Sequence, residues 1–156
     1  MEVYRISSKR YADDLSGIGA GLYGGRWNPK GLNMVYTAGS ISLACMEYLV
    51  HNIHLMASKE ICLSKIQISE TAPVLHINEK QLPADWNEKS YLPITTQNIG
   101  QENFEKGINY VLKVPSVIVP DESNYLLNPY HEYHDKTSIV EQIFPFTMDE
   151  RLFGLK

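Results

Sequence analysis

The glycine-dense segment at residues 16–31, SGIGAGLYGGRWNPKG, constrains the fold of this chain more than any other. Its sixteen residues include six glycines and a proline, a composition that disfavours a stable helix because ordering glycine costs more conformational entropy than ordering other residues. We therefore predict a shaped loop. Trp27 argues against a freely moving surface loop, because so large an aromatic side chain favours burial.

The same segment contains a formal GxGxxG match from Gly19 to Gly24. A dinucleotide-binding fingerprint of the Rossmann type needs a strand directly before the glycines and a helix directly after them. Pro29 prevents helix continuation, and no GK[ST] sequence supports a P-loop, so neither site is indicated. The glycines can instead bring the backbone close to a ligand and direct Arg26 toward it.

Apolar patterning predicts a short strand in each of six segments, residues 1–6, 33–37, 60–69, 74–77, 114–120 and 138–144. Helices are predicted over residues 41–56, with Ser40 as the N-cap, and over residues 95–111. The strands outnumber the helices and do not alternate with them regularly, which favours an α+β fold over a doubly wound sheet. A length of 156 residues fits one domain, residues 1–156.

The charge balance bears on possible partners. Lys and Arg number 14 against 18 Asp and Glu, a net charge of -4, whereas a sequence-independent nucleic-acid binder usually has a basic surplus. No stretch approaches the ~20 apolar residues that cross a bilayer, and the first residues lack a signal-peptide pattern. Cys45 and Cys62 lie in apolar stretches, which is typical of a reducing compartment. We expect a cytoplasmic protein that contacts neither nucleic acid nor membrane.

Glu47 is the most informative single residue. Between residues 41 and 58 it is the one acidic or basic side chain besides two histidines, and apolar residues occupy nearly every side of the predicted helix. The helix is therefore expected to be buried, where a carboxylate costs several kcal/mol unless it is paired or faces a wet cleft. Two interpretations stay open: a structural ion pair with Arg5 or Arg26, and a catalytic carboxylate at the floor of a pocket.

Other residue types give weaker signals. The pairs His51 with His54 and His131 with His134 have H-x-x-H spacing, but neither has a third ligand at a recognisable spacing, so no metal site is predicted. Ser116 lacks the G-x-S-x-G context of a hydrolase nucleophile and is interpreted as a strand serine.

Four pieces occur in order along nearly the whole chain: Tyr4-Arg5, GLYGGRWNPKG, VYTAGSISLACMEYLVH and VPSVIVPDESNYLLNPYH. Together they resemble the RES domain, a family that is named for an arginine, a glutamate and a serine and supplies toxins of bacterial toxin–antitoxin pairs. On this match the arginine is Arg26, the glutamate is Glu47 and the serine is Ser116.

The resemblance implies a fold similar to that of ADP-ribosyltransferases, with mixed or antiparallel sheets and flanking helices around a cleft for NAD+. It implies that NAD+ is the substrate and that no metal takes part. The residues it assigns to catalysis are Glu47, Arg26 and Tyr36, and those it assigns to NAD+ binding are Arg5, Arg26, Tyr36 and Ser116.

The resemblance also implies an activity and partners. The expected reaction is cleavage of NAD+ at the nicotinamide–ribose bond, with ADP-ribose passed to water or phosphate. Two alternatives stay open: transfer of ADP-ribose to a protein target, and a non-enzymatic interaction module in which Glu47 pairs structurally with Arg26. The expected partners are an antitoxin with an Xre-type helix-turn-helix domain, which would contact DNA in place of this chain, and a second copy of the chain in a homodimer.

Overall fold

Seven strands form one mixed sheet in the computed structural model, which describes residues 1–52, 60–88 and 93–153. They are β1 Glu2–Ser8, β2 Val35–Ala38, β3 Ile61–Gln67, β4 Val74–His76, β5 Val111–Pro115, β6 Ser123–Leu127 and β7 Ser138–Ile143. Their order across the sheet is β4-β5-β6-β2-β1-β3-β7, and every neighbouring pair is antiparallel except β4 and β5. The expected α+β fold is confirmed, with one sheet in place of several.

Three α-helices accompany these strands in the described residues: α1 Ile18–Tyr23, α2 Ile41–Asn52 and α3 Ile94–Lys106. Helix α1 lies inside the segment predicted to be a loop, so that prediction is wrong for six of its residues. Gly17 precedes the helix with φ 69° and Gly24 follows it with φ 75°. These glycines occupy the helix ends, where a positive φ is needed, so they bound a short helix instead of preventing one.

Helix α2 begins as predicted but is less buried than expected. The Leu43 N–H donates to Ser40 Oγ at 3.1 Å, which confirms Ser40 as the N-cap. Leu43 and Ala44 are buried against β1 and β2, whereas Met46 and Val50 are exposed. The helix packs on one face of the sheet and leaves its outer side to solvent. Its predicted continuation over residues 53–56 lies outside the described residues.

The segment around Ser116 forms a turn where a strand was predicted. Strand β5 ends at Pro115, and the Ser116 Oγ then accepts the N–H groups of Ile118 and Val119 at 3.0 and 3.1 Å. A serine that bonds to the backbone ahead of it favours a turn over a continued strand, and a proline cannot donate to the sheet. Ser116 therefore stands at the carboxyl end of β5, against the prediction of a strand serine.

The predicted second helix, residues 95–111, is shorter in the structure. Helix α3 ends at Lys106, where Gly107 adopts φ 61° and its N–H donates to Phe104 O, and Val111 already belongs to β5. A glycine with positive φ directly after a helix is a common C-terminal cap. Gly107, which lies inside the predicted range, is thus the residue that ends the helix.

Side chains on both faces of the sheet are buried, because successive residues of a strand point to opposite sides. Leu126 and Leu127 of β6 are fully buried in two different clusters, one with Trp27 and the other with Val3. Tyr36 of β2 packs against the cluster of Trp27. This places Tyr36 next to the glycine-dense segment, where the expected burial of Trp27 is confirmed.

On the face that carries Val3, the fully buried ring of Tyr110 holds the segment after β6. Its Oη lies 3.1 Å from His134 Nδ1 and 2.7 Å from Thr137 Oγ1, and the ring of His131 lies 5.7 Å from it between centroids. Burial lowers the pKa of His134, while a backbone hydrogen bond with Leu15 partly opposes this shift. His134 is therefore a neutral, structural histidine at pH 7.

We expect the free energy of unfolding to decrease between about pH 7 and about pH 5, because the unfolded chain then binds a proton at His134 that the folded chain resists. A folded-state pKa below the unfolded one makes the unfolded state the better proton binder in this window, so stability rises with pH. Urea unfolding at stepped pH measures the slope. His134→Gln should flatten it, whereas His76→Gln, at an exposed histidine, should not. Equal slopes in the wild type and His134→Gln would contradict the prediction.

Candidate active site

A cleft with two adjacent lobes lies between β1, β2 and α2. The small lobe has a volume of about 210 Å³ and includes Glu47 and Asn124 in its lining, and the large lobe has a volume of about 600 Å³. The lobes share five lining residues, Arg5, Ile6, Tyr36, Tyr48 and Asn52. Together they fall in the size range of small-molecule and cofactor sites, ~300–1,000 Å³.

Glu47 points from α2 into the small lobe. Its Oε1 accepts the Ser116 hydroxyl at 3.2 Å and the Asn124 side-chain amide at 2.5 Å. Its Oε2 lies 3.9 Å from Nε2 of His51, one helical turn along α2, and 26% of the Glu47 side chain is exposed. The carboxylate is thus oriented by two neutral donors and remains accessible from the cleft.

The structural ion pair that the sequence left open for Glu47 is not formed. Among the described residues, neither Arg5 nor Arg26 lies at ion-pair distance from Glu47, and the basic side chain within 4 Å of it is the largely exposed His51. The wet-cleft interpretation of Glu47 accounts for the geometry, because a partly exposed carboxylate with two hydrogen bonds needs no buried cation.

Tyr36 is a partly buried side chain that joins β2 to the glycine-dense segment. Its Oη donates to Asn28 Oδ1 at 2.8 Å and accepts the Trp27 N–H at 3.1 Å. A side chain at Gly25 would place its Cβ 2.6 Å from the Tyr36 Oη, so glycine permits this approach. Burial raises the pKa of the Tyr36 phenol far above its usual range, and the negative Glu47 adds to the rise. Tyr36 therefore lines the cleft as a neutral phenol.

Arg26 lies beside Tyr36 but outside the lining of both lobes in the described part of the chain. Its Nη1 donates to the Trp86 carbonyl, and its carbonyl accepts the Thr96 hydroxyl at 2.6 Å. The positive charge of Arg26 acts on Tyr36 and partly opposes the rise of the phenol pKa. The catalytic and NAD+-binding roles of Arg26 stay predictions.

Arg5 lines both lobes from β1. Its Nη1 donates to the carbonyls of Tyr11 and Asp14 at 3.2 and 2.5 Å, so it fixes the segment that follows β1. Burial lowers the pKa of Arg5, and the nearby Asp14 carboxylate partly offsets this. Its ordinary pKa is so high that the guanidinium stays charged, and it brings a positive charge to the place where the lobes meet.

Ser116 is oriented toward Glu47. Its Oγ accepts two backbone N–H groups, so its single hydroxyl proton is directed to Glu47 Oε1. Direct binding of Ser116 to NAD+ stays a prediction, and the contact that the structure shows is with the carboxylate.

Sequence reasoning missed Asn124 and the apolar rim of the large lobe. Asn124 lies on β6, directly after the Ser116 turn, and only the pairing of β6 with β2 brings it to the cleft. The rim consists of exposed side chains from the segment after β1, namely Tyr11, Ile18, Leu22 and Tyr23, the last 79% exposed. Their apolar character was visible in the sequence, but nothing local indicated that they share one lobe.

The histidines of the described residues form no metal site. No group of three His, Cys, Asp or Glu side chains there could hold a metal ion, and His131 and His134 pack around Tyr110. His54 lies outside the described residues. None of the described helices is long and apolar enough to span a membrane.

Known proteins are similar to this chain over most of its length. A family model described as RES domain matches residues 2–149. A Yersinia enterocolitica protein named Toxin Res is 39% identical over 153 residues, which cover 97% of this chain and 99% of that protein. A Sphingobium protein named Prs ADP-ribosylating toxin is 38% identical over 126 residues, which cover 77% of this chain and 75% of that protein.

The fold also has a solved counterpart. A chain in the crystal structure of the M. tuberculosis MbcT–MbcA toxin–antitoxin complex superposes with a TM-score of 0.75 at 18% identity, over 98% of this chain and 86% of that chain. This likeness shows that the two chains share a fold. With a family match that includes Arg26, Glu47 and Ser116, the chain belongs to the RES domain family.

Proposed function

We propose that this chain is the toxin of a toxin–antitoxin pair and that it consumes NAD+ in the two-lobed cleft. Membership of the RES domain family and the relative named Toxin Res support the toxin assignment. The Sphingobium relative is named an ADP-ribosylating toxin, and ADP-ribosylation draws its ADP-ribose from NAD+.

The position of Glu47 is the observation that carries this proposal. Its carboxylate lines the small lobe, is partly exposed and is held by two donors on one oxygen. Cleavage of the nicotinamide–ribose bond develops positive charge on the ribose, and a preorganised carboxylate in a cleft stabilises that charge. Among the residues assigned from the resemblance, Glu47 is the one that brings a negative charge to the cleft.

The shape and charge of the cleft suit a dinucleotide. The lobes are adjacent and have five lining residues in common, so we propose that one elongated ligand extends across both, with its bulkier part in the large lobe. Arg5 brings a positive charge where the lobes meet, and a guanidinium is well shaped to bind a pyrophosphate. We propose Arg26, beside Tyr36, as a further arginine for catalysis and phosphate binding.

In the proposed reaction the bond between nicotinamide N1 and ribose C1′ breaks, and its electron pair leaves with nicotinamide, which becomes neutral. An acceptor oxygen bonds to C1′ and releases its proton. Glu47 stabilises the positive ribose through its charge and through contact with a ribose hydroxyl. The neutral ring of Tyr36 packs against the nicotinamide ring, and Ser116 holds Glu47. No step requires a metal.

We propose water or phosphate as the acceptor of ADP-ribose. A protein acceptor is the second candidate, which the name of the Sphingobium relative favours. Purified chain incubated with NAD+ alone, with inorganic phosphate or with a bacterial lysate separates these acceptors when every product is identified by mass. Free ADP-ribose, its phosphate adduct or an ADP-ribosylated protein identifies the acceptor. Unchanged NAD+ in all three incubations of folded protein would contradict the proposal.

The partners follow from the same proposal. A structural counterpart solved as a toxin–antitoxin complex supports a cognate antitoxin for this chain. We propose that the antitoxin carries an Xre-type helix-turn-helix domain and supplies the DNA contact, because a net charge of -4 does not favour phosphate binding by this chain. We further propose that the chain acts in the cytoplasm and pairs as a homodimer.

A further inference from the structure

Asn124 and Ser116 donate to the same oxygen of Glu47. The Asn124 Nδ2 lies 2.5 Å and the Ser116 Oγ 3.2 Å from Oε1. Among the described residues, the polar contact at Oε2 is the His51 ring at 3.9 Å, beyond hydrogen-bond distance. The carboxylate is therefore asymmetric, with Oε1 saturated by neutral donors and Oε2 open.

The backbone fixes the Asn124 donor. Asn124 lies within β6, where it pairs with Ala38 of β2 on one side and Val114 of β5 on the other. A residue between two paired strands cannot shift without breaking the sheet, so its amide meets α2 at a fixed point. Asn124 also lines the small lobe together with Glu47.

We infer that Asn124 is a positioning residue of the NAD+ reaction, which holds Glu47 Oε1 so that Oε2 is the oxygen presented to the ribose. This inference rests on the proposed function. A carboxylate with free rotation would offer either oxygen, whereas two donors on Oε1 select one orientation before substrate binds. Preorganisation of this kind acts on the chemical step, because a misplacement of ~1 Å can cost ~10²-fold in rate.

Asn124→Asp tests the inference, because aspartate keeps the shape and changes the donor with pH. When the carboxyl group introduced at position 124 and that of Glu47 share one proton, the introduced group donates its O–H to Glu47 and restores the contact. When both carboxyl groups are ionised, the hydrogen-bond donor is lost and the two negative charges repel each other. The titratable side chains that line the small lobe besides Glu47 are Tyr48, Tyr36, Tyr4 and Arg5, and His51 lies 3.9 Å from Glu47 Oε2; the variant leaves all of these residues in place.

We expect the ratio of kcat for Asn124→Asp to that of the wild type to fall about 10-fold between about pH 5 and about pH 8, with little change in KM for NAD+. Asn124→Ala lacks a donor at every pH, so its ratio should stay low throughout. Asn103→Asp is the matched control, because Asn103 on α3 donates to the Ile99 carbonyl away from the cleft, and its ratio should stay near one.

The outcomes separate the inference from the proposed function. Wild-type protein that leaves NAD+ intact overturns both. Active wild type with a pH-independent ratio for Asn124→Asp overturns the inference alone, as does Asn124→Ala with wild-type kcat per folded molecule. If Asn124→Asp does not fold, Asn124→Ala decides the question, with the folded fraction measured by circular dichroism.

Discussion

Glu47→Gln should lower the turnover of NAD+ by ~10²-fold or more while the protein stays folded, a loss similar in size to that of an oxyanion-hole donor. The amide keeps the shape of the side chain, and its oxygen can still accept the hydrogen bonds of Ser116 and Asn124. It removes the negative charge that stabilises the ribose. Initial rates of nicotinamide release, together with NAD+ binding by calorimetry, measure the two effects separately.

Stability provides the matching control for that variant. Because the Glu47 side chain is partly exposed and forms no ion pair with Arg5 or Arg26 in the described residues, its neutralisation should change the free energy of unfolding by less than ~1 kcal/mol. Glu132→Gln, at an exposed carboxylate, should leave both turnover and stability unchanged. An unstable Glu47→Gln protein with normal activity per folded molecule would show that Glu47 is structural.

Features that depend on neighbouring residues were predictable from the sequence. The N-cap serine of α2, the strand at the start of the chain and the burial of Trp27 each follow from a local pattern, and each is confirmed. The resemblance identified the family because its motifs are short and occur in order. Each of these local patterns, and each single motif of the resemblance, is a short stretch of consecutive residues.

The contacts that build the site were not predictable in this way. Glu47 contacts Ser116 and Asn124, which lie 69 and 77 residues further along the chain. These contacts exist because β6 pairs with β2 and β5, and strand order across a sheet leaves no local trace in the sequence. The ion pair with Arg5 or Arg26 was a plausible interpretation of Glu47 from the sequence, because the sequence does not reveal that Ser116 and Asn124 supply neutral donors instead.

Two of the wrong predictions follow from composition averaged over a segment. The glycine content of residues 16–31 favours a loop, whereas the position of each glycine decides what it does. Gly17 and Gly24 lie at the ends of α1 and allow the chain to enter and leave the helix. Likewise, the apolar composition of α2 predicted burial on all sides, although the sheet covers only one side of the helix.

Gly100→Ala should destabilise the protein by ~1–3 kcal/mol, although alanine is the better helix former. A Cβ at position 100 would lie 1.8 Å from the Trp27 carbonyl oxygen, which is backbone and cannot rotate away. Alanine in place of glycine within a helix gains only ~0.5–1 kcal/mol, so the steric cost exceeds the gain. Denaturant unfolding measures the difference in free energy, and each kcal/mol should lower Tm by ~2–4 °C.

With the role proposed for Arg26, the same substitution should also lower NAD+ turnover, because α3 holds the backbone on both sides of Arg26. Thr96 donates to the Arg26 carbonyl at 2.6 Å and Gln97 to the Gly25 carbonyl at 2.8 Å, so a helix displaced from Trp27 shifts this segment against Tyr36. Gly19→Ala in α1 is the control, since a Cβ there meets nothing within 4 Å and should leave stability equal or slightly higher. A Gly100→Ala protein as stable and active as the wild type would mean that α3 can withdraw from Trp27 freely, and that its close approach does not hold the arginine in place.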